Sequence, residues 1–191
     1  MDYLESLGAR AKAASYKMNS LGVTDKNRGL KAVSRALLEH EAEITAANAR
    51  DVEAAVAHGV KSSLIDRLRL DHGRIAGMAE GIDQVISLED PIGEIQSMRT
   101  RPNGLQIGKK RVPLGVIGII YESRPNVTAD AFALCFKTGN AVILRGGSDA
   151  IHSNQAIIAV IREALRAEAL PEDAVLLIED TSRETARGFM R

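Results

Sequence analysis

Two polar clusters in the second half of the sequence follow apolar runs directly. The first occupies residues 122–128, after the apolar run 114–121, and contains a carboxylate, a guanidinium, two hydroxyls and an amide. The second occupies residues 145–148, after the run 141–144. Short apolar runs of this kind are typical of strands buried on both faces of a parallel sheet. Ligands of such sheets bind beyond the carboxyl ends of the strands, so these clusters are the candidate functional loops.

The second cluster is suited to a phosphate. Arg145 is a permanent cation at a strand end, and Gly146 and Gly147 allow close approach of backbone just before a long helix. The alternative is a glycine turn whose arginine pairs with a nearby carboxylate. The glycine fingerprint of the ordinary Rossmann dinucleotide site is absent, because Gly115 and Gly118 lie inside the preceding strand.

The first cluster has two interpretations. In the functional one, Asn126 donates an N–H to a developing oxyanion, while Arg124 or Glu122 contacts a polar substrate. In the alternative, Asn126 or Thr128 caps the following helix, and Pro125 stiffens the chain that leads to it.

Other reactive side chains are weaker candidates. Cys135 lies in an apolar helical stretch without a neighbouring base, which favours buried packing over a nucleophile. The four histidines are scattered, and no metal-binding motif is present.

The chain divides into three parts. Residues 1–90 show helical spacing of apolar residues. The predicted amino-terminal helix caps are Thr24 or Asp25, Ser62 or Ser63, and Asp71. Residues 91–113 predict a charged β-hairpin around the turn 102–104, which is either simply solvated or a contact between subunits of a homo-oligomer. Residues 114–191 alternate short apolar runs with helical stretches. This order predicts an α/β fold, in which amino-terminal helices and a hairpin precede a partial doubly wound parallel sheet.

Composition argues against several classes of protein. The 191 residues carry 25 Lys and Arg against 25 Asp and Glu, with 3% aromatic residues, so nothing favours nucleic-acid binding. The apolar run 114–121 is far shorter than the roughly 20 residues of a membrane-spanning helix. A single cysteine and an acidic amino terminus favour a cytoplasmic protein without a membrane partner.

Residues 112–128, VPLGVIGIIYESRPNVT, and 137–148, KTGNAVILRGGS, closely resemble the gamma-glutamyl phosphate reductases, a family of the aldehyde dehydrogenase superfamily. The resemblance extends over essentially the whole chain. It implies an enzyme of proline biosynthesis that uses NADPH to convert L-glutamyl 5-phosphate into L-glutamate 5-semialdehyde and phosphate. It also implies a functional link with glutamate 5-kinase, which would supply this substrate.

The resemblance implies roles for individual residues. Arg145 falls where the superfamily places a basic residue beside the adenosine ribose, where it would suit the 2′-phosphate of NADPH. Asn126 matches the asparagine that supports the thioester oxyanion. The residues that would contact the cofactor are Ile120, Tyr121, Arg145, Gly146, Gly147 and Ser148.

One departure from the family concerns the nucleophile. The family uses a cysteine thiolate that displaces phosphate to form a thioester, which hydride from NADPH then reduces. That cysteine lies in a later domain, and Cys135 does not match its motif. We therefore expect an amino-terminal half with a truncated cofactor domain and no catalytic domain, inactive by itself. The alternatives are a non-catalytic NADPH-binding fragment and an interaction half of a split enzyme.

Overall fold

The first half of the chain is helical in the computed structural model, which describes residues 2–190. Its helices are α1 (Tyr3–Met18), α2 (Val23–Glu39), α3 (Glu41–Ala57), α4 (Ser62–Leu68) and α5 (His72–Ser87). The predicted helical periodicity is therefore confirmed. None of the described helices is both long and apolar enough to cross a membrane.

The helix caps were predicted only in part. Asp71 caps α5 as predicted, because its carboxylate accepts a hydrogen bond from the backbone N–H of Arg74 at 2.9 Å. For α4 the prediction of Ser62 or Ser63 is wrong, because the helix begins at Ser62 after Lys61 and no side chain caps it. For α2 the prediction is wrong as well. The helix begins at Val23 after Gly22, so Thr24 and Asp25 lie inside its first turn and no side chain caps it.

The predicted hairpin is also confirmed. Strands β1 (Ile95–Thr100) and β2 (Gln106–Lys110) pair antiparallel, and every residue of both strands is exposed. Arg101 donates its backbone N–H to the carbonyl of Leu105 at 2.8 Å, and Gly104 supplies the positive φ of 84° that closes the turn.

The second half alternates strands and helices as predicted. Its strands are β3 (Val116–Ile120), β4 (Ala141–Arg145) and β5 (Val175–Leu177), and its helices are α6 (Asn126–Lys137), α7 (Ile151–Ala167) and α8 (Arg183–Phe189). Short 3-10 turns at Ser148–Ala150 and Glu172–Ala174 precede α7 and β5. The three strands are parallel and lie in the order β3-β4-β5, which confirms the α/β class.

Helices cover both faces of the sheet. Val142 and Leu144 point into the main core, which is shared with α2, α5, α6 and α7. Their neighbour Ile143 points into a second cluster together with Leu7 and Ala11 of α1. Both crossover helices, α6 and α7, pack on the first face, and α1 covers the opposite one. The helical part and the sheet therefore share one core rather than folding as separate bodies.

Buried polar groups of the helical part fix the start of α7. Asp51 of α3 accepts hydrogen bonds from the backbone N–H groups of His152 at 3.2 Å and Ser153 at 2.7 Å. Asn48, one turn earlier, accepts from the backbone N–H of Leu70 at 2.7 Å. Asp51 thus caps α7 from another helix, and this contact holds the loop between β4 and α7 in place.

Candidate cofactor and substrate site

The two polar loops lie side by side at one edge of the sheet. Ile120 and Arg145 are register partners at the carboxyl ends of β3 and β4. The backbone N–H of Tyr121 continues the pairing by donating to the carbonyl of Arg145 at 3.1 Å. Both loops therefore follow the carboxyl ends of parallel strands, as the sequence predicted, and these strands are neighbours.

Tyr121 is oriented into the protein. Its hydroxyl lies 2.6 Å from the Thr128 hydroxyl, which donates to the side-chain carbonyl of Asn154 at 2.8 Å. Burial raises the pKa of Tyr121 to about 12, so its phenol is neutral across the physiological range. Its backbone N–H already donates to the carbonyl of Arg145, so its own backbone carbonyl is the group left to contact the cofactor in the predicted role.

Gly146 and Gly147 let the two loops pack against each other. A Cβ at Gly146 would lie 2.3 Å from the Asn154 Nδ2 and 3.1 Å from the Tyr121 ring. A Cβ at Gly147 would lie 2.6 Å from the Ser123 hydroxyl. The space that a side chain would occupy at each glycine is therefore filled by protein atoms, whereas the sequence suggested that a ligand could lie there. Asn154 Nδ2 itself is buried and has no hydrogen-bond partner among the described residues.

Arg145 uses backbone carbonyls as acceptors. Its Nη2 donates to the carbonyls of Thr181 at 3.1 Å and Ser182 at 3.3 Å, and its Nη1 donates to that of Gly146 at 3.5 Å. Within residues 2–190, no carboxylate lies within 4.0 Å of its guanidinium nitrogens. The alternative of an arginine paired with a carboxylate is therefore wrong. Its Nε is buried without an acceptor.

The remaining predicted residues lie on the surface of the same edge. Ser148 is exposed and its hydroxyl points to Asp149 at 3.4 Å, while Ser123 donates to the same carboxylate at 3.1 Å. Ile120 is 47% exposed at the end of its strand, and Glu122 is also exposed. These side chains are available to a ligand in a way that Tyr121 is not.

Asn126 is the first residue of α6 and does not cap it. Its Nδ2 donates to Asp130, one turn later, at 3.2 Å. Thr128 is no cap either, because it lies inside the first turn and is fully buried beside Tyr121. An amide nitrogen carries two hydrogens, so Asn126 retains one N–H for a ligand. The capping interpretation of both residues is wrong.

Asp130 is a site residue that sequence reasoning missed. Its spacing of four residues from Asn126 is the helical spacing that brings side chains together, and that signal could have identified it. Partial burial raises the pKa of this carboxyl, opposed by the hydrogen bond from Asn126.

Cys135 is buried, as the sequence suggested. Its side chain is 6% exposed, and burial raises the pKa of its thiol to about 11. At neutral pH such a thiol is protonated and inert as a nucleophile. Among residues 2–190, no three His, Cys, Asp or Glu side chains are grouped so that they could hold a metal ion.

The family described as "Aldehyde dehydrogenase family" matches residues 3–191. The chain belongs to the aldehyde dehydrogenase family. This family and the reductase relatives imply a nicotinamide cofactor.

Similar proteins support the resemblance seen in the sequence. Gamma-glutamyl phosphate reductase from Clostridium perfringens is 54% identical over 184 residues, which are 96% of this chain and 44% of that protein. The protein of the same name from Caldanaerobacter subterraneus is 55% identical over 188 residues, covering 98% of this chain and 45% of that protein. The chain thus spans less than half the length of these relatives.

Solved structures agree with the sequence matches. A crystal structure of gamma-glutamyl phosphate reductase from Thermotoga maritima matches with a TM-score of 0.97 at 44% identity, over 100% of this chain and 46% of that one. The Saccharomyces cerevisiae protein of the same name matches with a TM-score of 0.88 at 29% identity, over 95% of this chain and 47% of that one.

Proposed function

We propose that this chain provides the NADPH-binding part of a gamma-glutamyl phosphate reductase. The reaction would convert L-glutamyl 5-phosphate, NADPH and a proton into L-glutamate 5-semialdehyde, phosphate and NADP⁺. The proposal is supported by the identity to relatives of that name and by the arrangement of the two loops. That the hairpin is a homo-oligomer contact and that glutamate 5-kinase is a functional partner remain predictions.

The position of Arg145 carries the NADPH assignment. Its guanidinium lies at the carboxyl end of β4, where α/β sheets bind nucleotides. It donates three hydrogen bonds, to the carbonyls of Gly146, Thr181 and Ser182. A guanidinium has five N–H groups, and because the Nε–H is buried, one Nη1 N–H remains for a ligand. A guanidinium without a direct ion pair is suited to a 2′-phosphate, and this phosphate is the feature that separates NADPH from NADH.

The surrounding residues fit the same cofactor. The backbone of Gly146 and Gly147 would face the adenosine half, with the exposed Ser148 hydroxyl and Ile120 at its borders. The bound cofactor would supply the hydride that reduces the acyl group. The free N–H of Asn126 would stabilise the negative charge that develops on the acyl oxygen.

Displacement of phosphate needs a nucleophile, and the described side chains do not offer one at this edge. Cys135 is buried and its pKa is about 11, so it is protonated and out of reach of a substrate. We therefore propose that these 191 residues bind cofactor without turning over the substrate by themselves.

A titration with both reduced nicotinamide cofactors tests this proposal. Arg145→Ala removes a charge-assisted hydrogen bond, worth about 1.5–3 kcal/mol, so it should weaken NADPH binding roughly 10- to 100-fold and leave NADH binding nearly unchanged. Binding is measured by the fluorescence of the reduced nicotinamide. Arg35→Ala, which replaces an exposed arginine of α2, is the matched control and should change neither affinity. Equal losses for both cofactors would refute the role of Arg145.

A further inference from the structure

A cavity opens beside Asn126, at the start of α6. It has a volume of about 500 Å³, within the range of small-molecule sites. It lies between α4, α5 and the start of α6, so the amino-terminal helices form one of its walls. The charged or amide side chains in its lining are Arg67, Arg69, Arg74, Arg124, Asn126 and Asp130.

Most of this positive charge is not neutralised by protein groups. Arg74 is held in place by the carboxylate of Asp66 at 3.1 Å and by the carbonyl of Arg69 at 2.6 Å. The side chains of Arg67, Arg69 and Arg124 make no hydrogen bond or ion pair within the part of the chain that the structure describes. Guanidinium groups without protein partners around one cavity are suited to bind carboxylate or phosphate oxygens.

Asp130 distinguishes this cavity from a simple anion site. Its carboxylate is half-buried and accepts one hydrogen bond, from the neutral amide of Asn126. A phosphate dianion beside it would be repelled. A ligand with an ammonium group next to a carboxylate would instead satisfy Asp130 and the arginines together.

We propose that this cavity binds the α-amino-acid end of the substrate, with the α-carboxylate on the arginines and the α-ammonium on Asp130. The inference rests on the proposed function and deepens it, because L-glutamyl 5-phosphate carries both groups on one carbon. Only two methylene groups separate that carbon from the acyl phosphate. Asn126 lines the cavity and is also the proposed oxyanion donor, so both ends of one substrate can be bound here at once.

Binding of L-glutamate to the 191-residue chain, measured by isothermal titration calorimetry, tests this assignment. Glutarate, which lacks the ammonium group, and inorganic phosphate are the comparison ligands. We expect L-glutamate to bind roughly tenfold more tightly than glutarate, because only the former pairs with Asp130. Phosphate should not displace it.

Substitutions inside the cavity and one control outside it separate binding from structure. Arg69→Gln should weaken L-glutamate and glutarate alike by roughly tenfold, and Arg67→Gln serves the same purpose if the first variant does not fold. Asp130→Asn should abolish the preference for L-glutamate and strengthen the binding of glutarate, a change of selectivity that loss of stability cannot produce. Arg35→Gln, remote from the cavity, should have no effect.

The outcomes distinguish this inference from the proposed function. Equal affinities for L-glutamate and glutarate, or displacement of L-glutamate by phosphate, would overturn the amino-acid assignment, and displacement would favour the phosphate end of the substrate. If NADPH binds to the same preparation while L-glutamate does not, the cavity assignment fails and the proposed function stands. If neither ligand binds, both fail.

Discussion

Gly146→Ala is the substitution that tests most strictly how the two loops are packed. The new Cβ would lie 2.3 Å from the Asn154 Nδ2 and 3.1 Å from the Tyr121 ring, and Asn154 is fully buried, so it cannot move aside into solvent. Overpacking of this kind costs about 1–3 kcal/mol. The free energy of unfolding should fall by that amount, and the melting temperature by roughly 2–4 °C for each kcal/mol.

Urea unfolding of the variant, compared with a matched control, measures this cost. Gly8→Ala is the control, because a Cβ at Gly8 has no neighbour within 4 Å and the position is inside α1. Since alanine has the higher helix propensity, that variant should be more stable by about 0.5–1 kcal/mol.

A double variant locates the clash. Asn154→Ala removes the side chain with which the new methyl group of Gly146→Ala would clash. The sum of the stability losses in the two single variants should therefore clearly exceed the loss in the double variant. Two results would refute the packing described for this loop. In one, the free energy of unfolding of Gly146→Ala lies within about 0.5 kcal/mol of the parent value. In the other, the loss in the double variant equals the sum of the two single losses within about 0.5 kcal/mol.

Two further predictions concern buried groups. With a pKa of about 11, the Cys135 thiol should react with iodoacetamide at pH 8 at least about a hundredfold more slowly in the folded chain than in urea; equal rates would contradict its burial. Asp90→Ala leaves the Lys26 ammonium, 3% exposed, without its ion-pair partner, and should cost about 3–5 kcal/mol in urea unfolding. Asp83→Ala, which breaks the exposed ion pair with Lys31, should cost under about 1 kcal/mol. Similar losses for the two variants would contradict the burial of the Lys26–Asp90 pair.

Strands and loops of the sheet were predictable because their sequence signals are local. Uninterrupted apolar runs indicate strands buried on both faces, and the polar residues directly after them must lie at the carboxyl edge. The hairpin was equally predictable from its turn, Pro102-Asn103-Gly104, between alternating segments. These features place Arg145 and Asn126 without knowledge of any long-range contact.

Long-range contacts account for what the sequence could not show. The cavity between α4, α5 and α6 brings Arg69 close to Arg124, and the cap of α7 brings Asp51 to Ser153. These residues are far apart in the chain, and periodic spacing predicts only contacts between residues a few positions apart. The close packing of Gly146 against Asn154 is another feature that the sequence could not show. A pair of glycines predicts close approach, and only the folded structure shows that the approaching atoms include the protein's own.

Whether Arg145 binds a 2′-phosphate is tested most directly by comparing adenosine 2′,5′-bisphosphate with adenosine 5′-monophosphate as ligands of the ¹⁵N-labelled chain. The 2′-phosphorylated compound should bind more tightly, by roughly tenfold or more, with amide shifts concentrated at residues 120–121 and 145–149. Equal affinities would contradict the assignment of Arg145. Shifts centred on Arg67 and Arg69 would place the phosphate in the cavity between α4, α5 and α6 and contradict a phosphate site at the two loops.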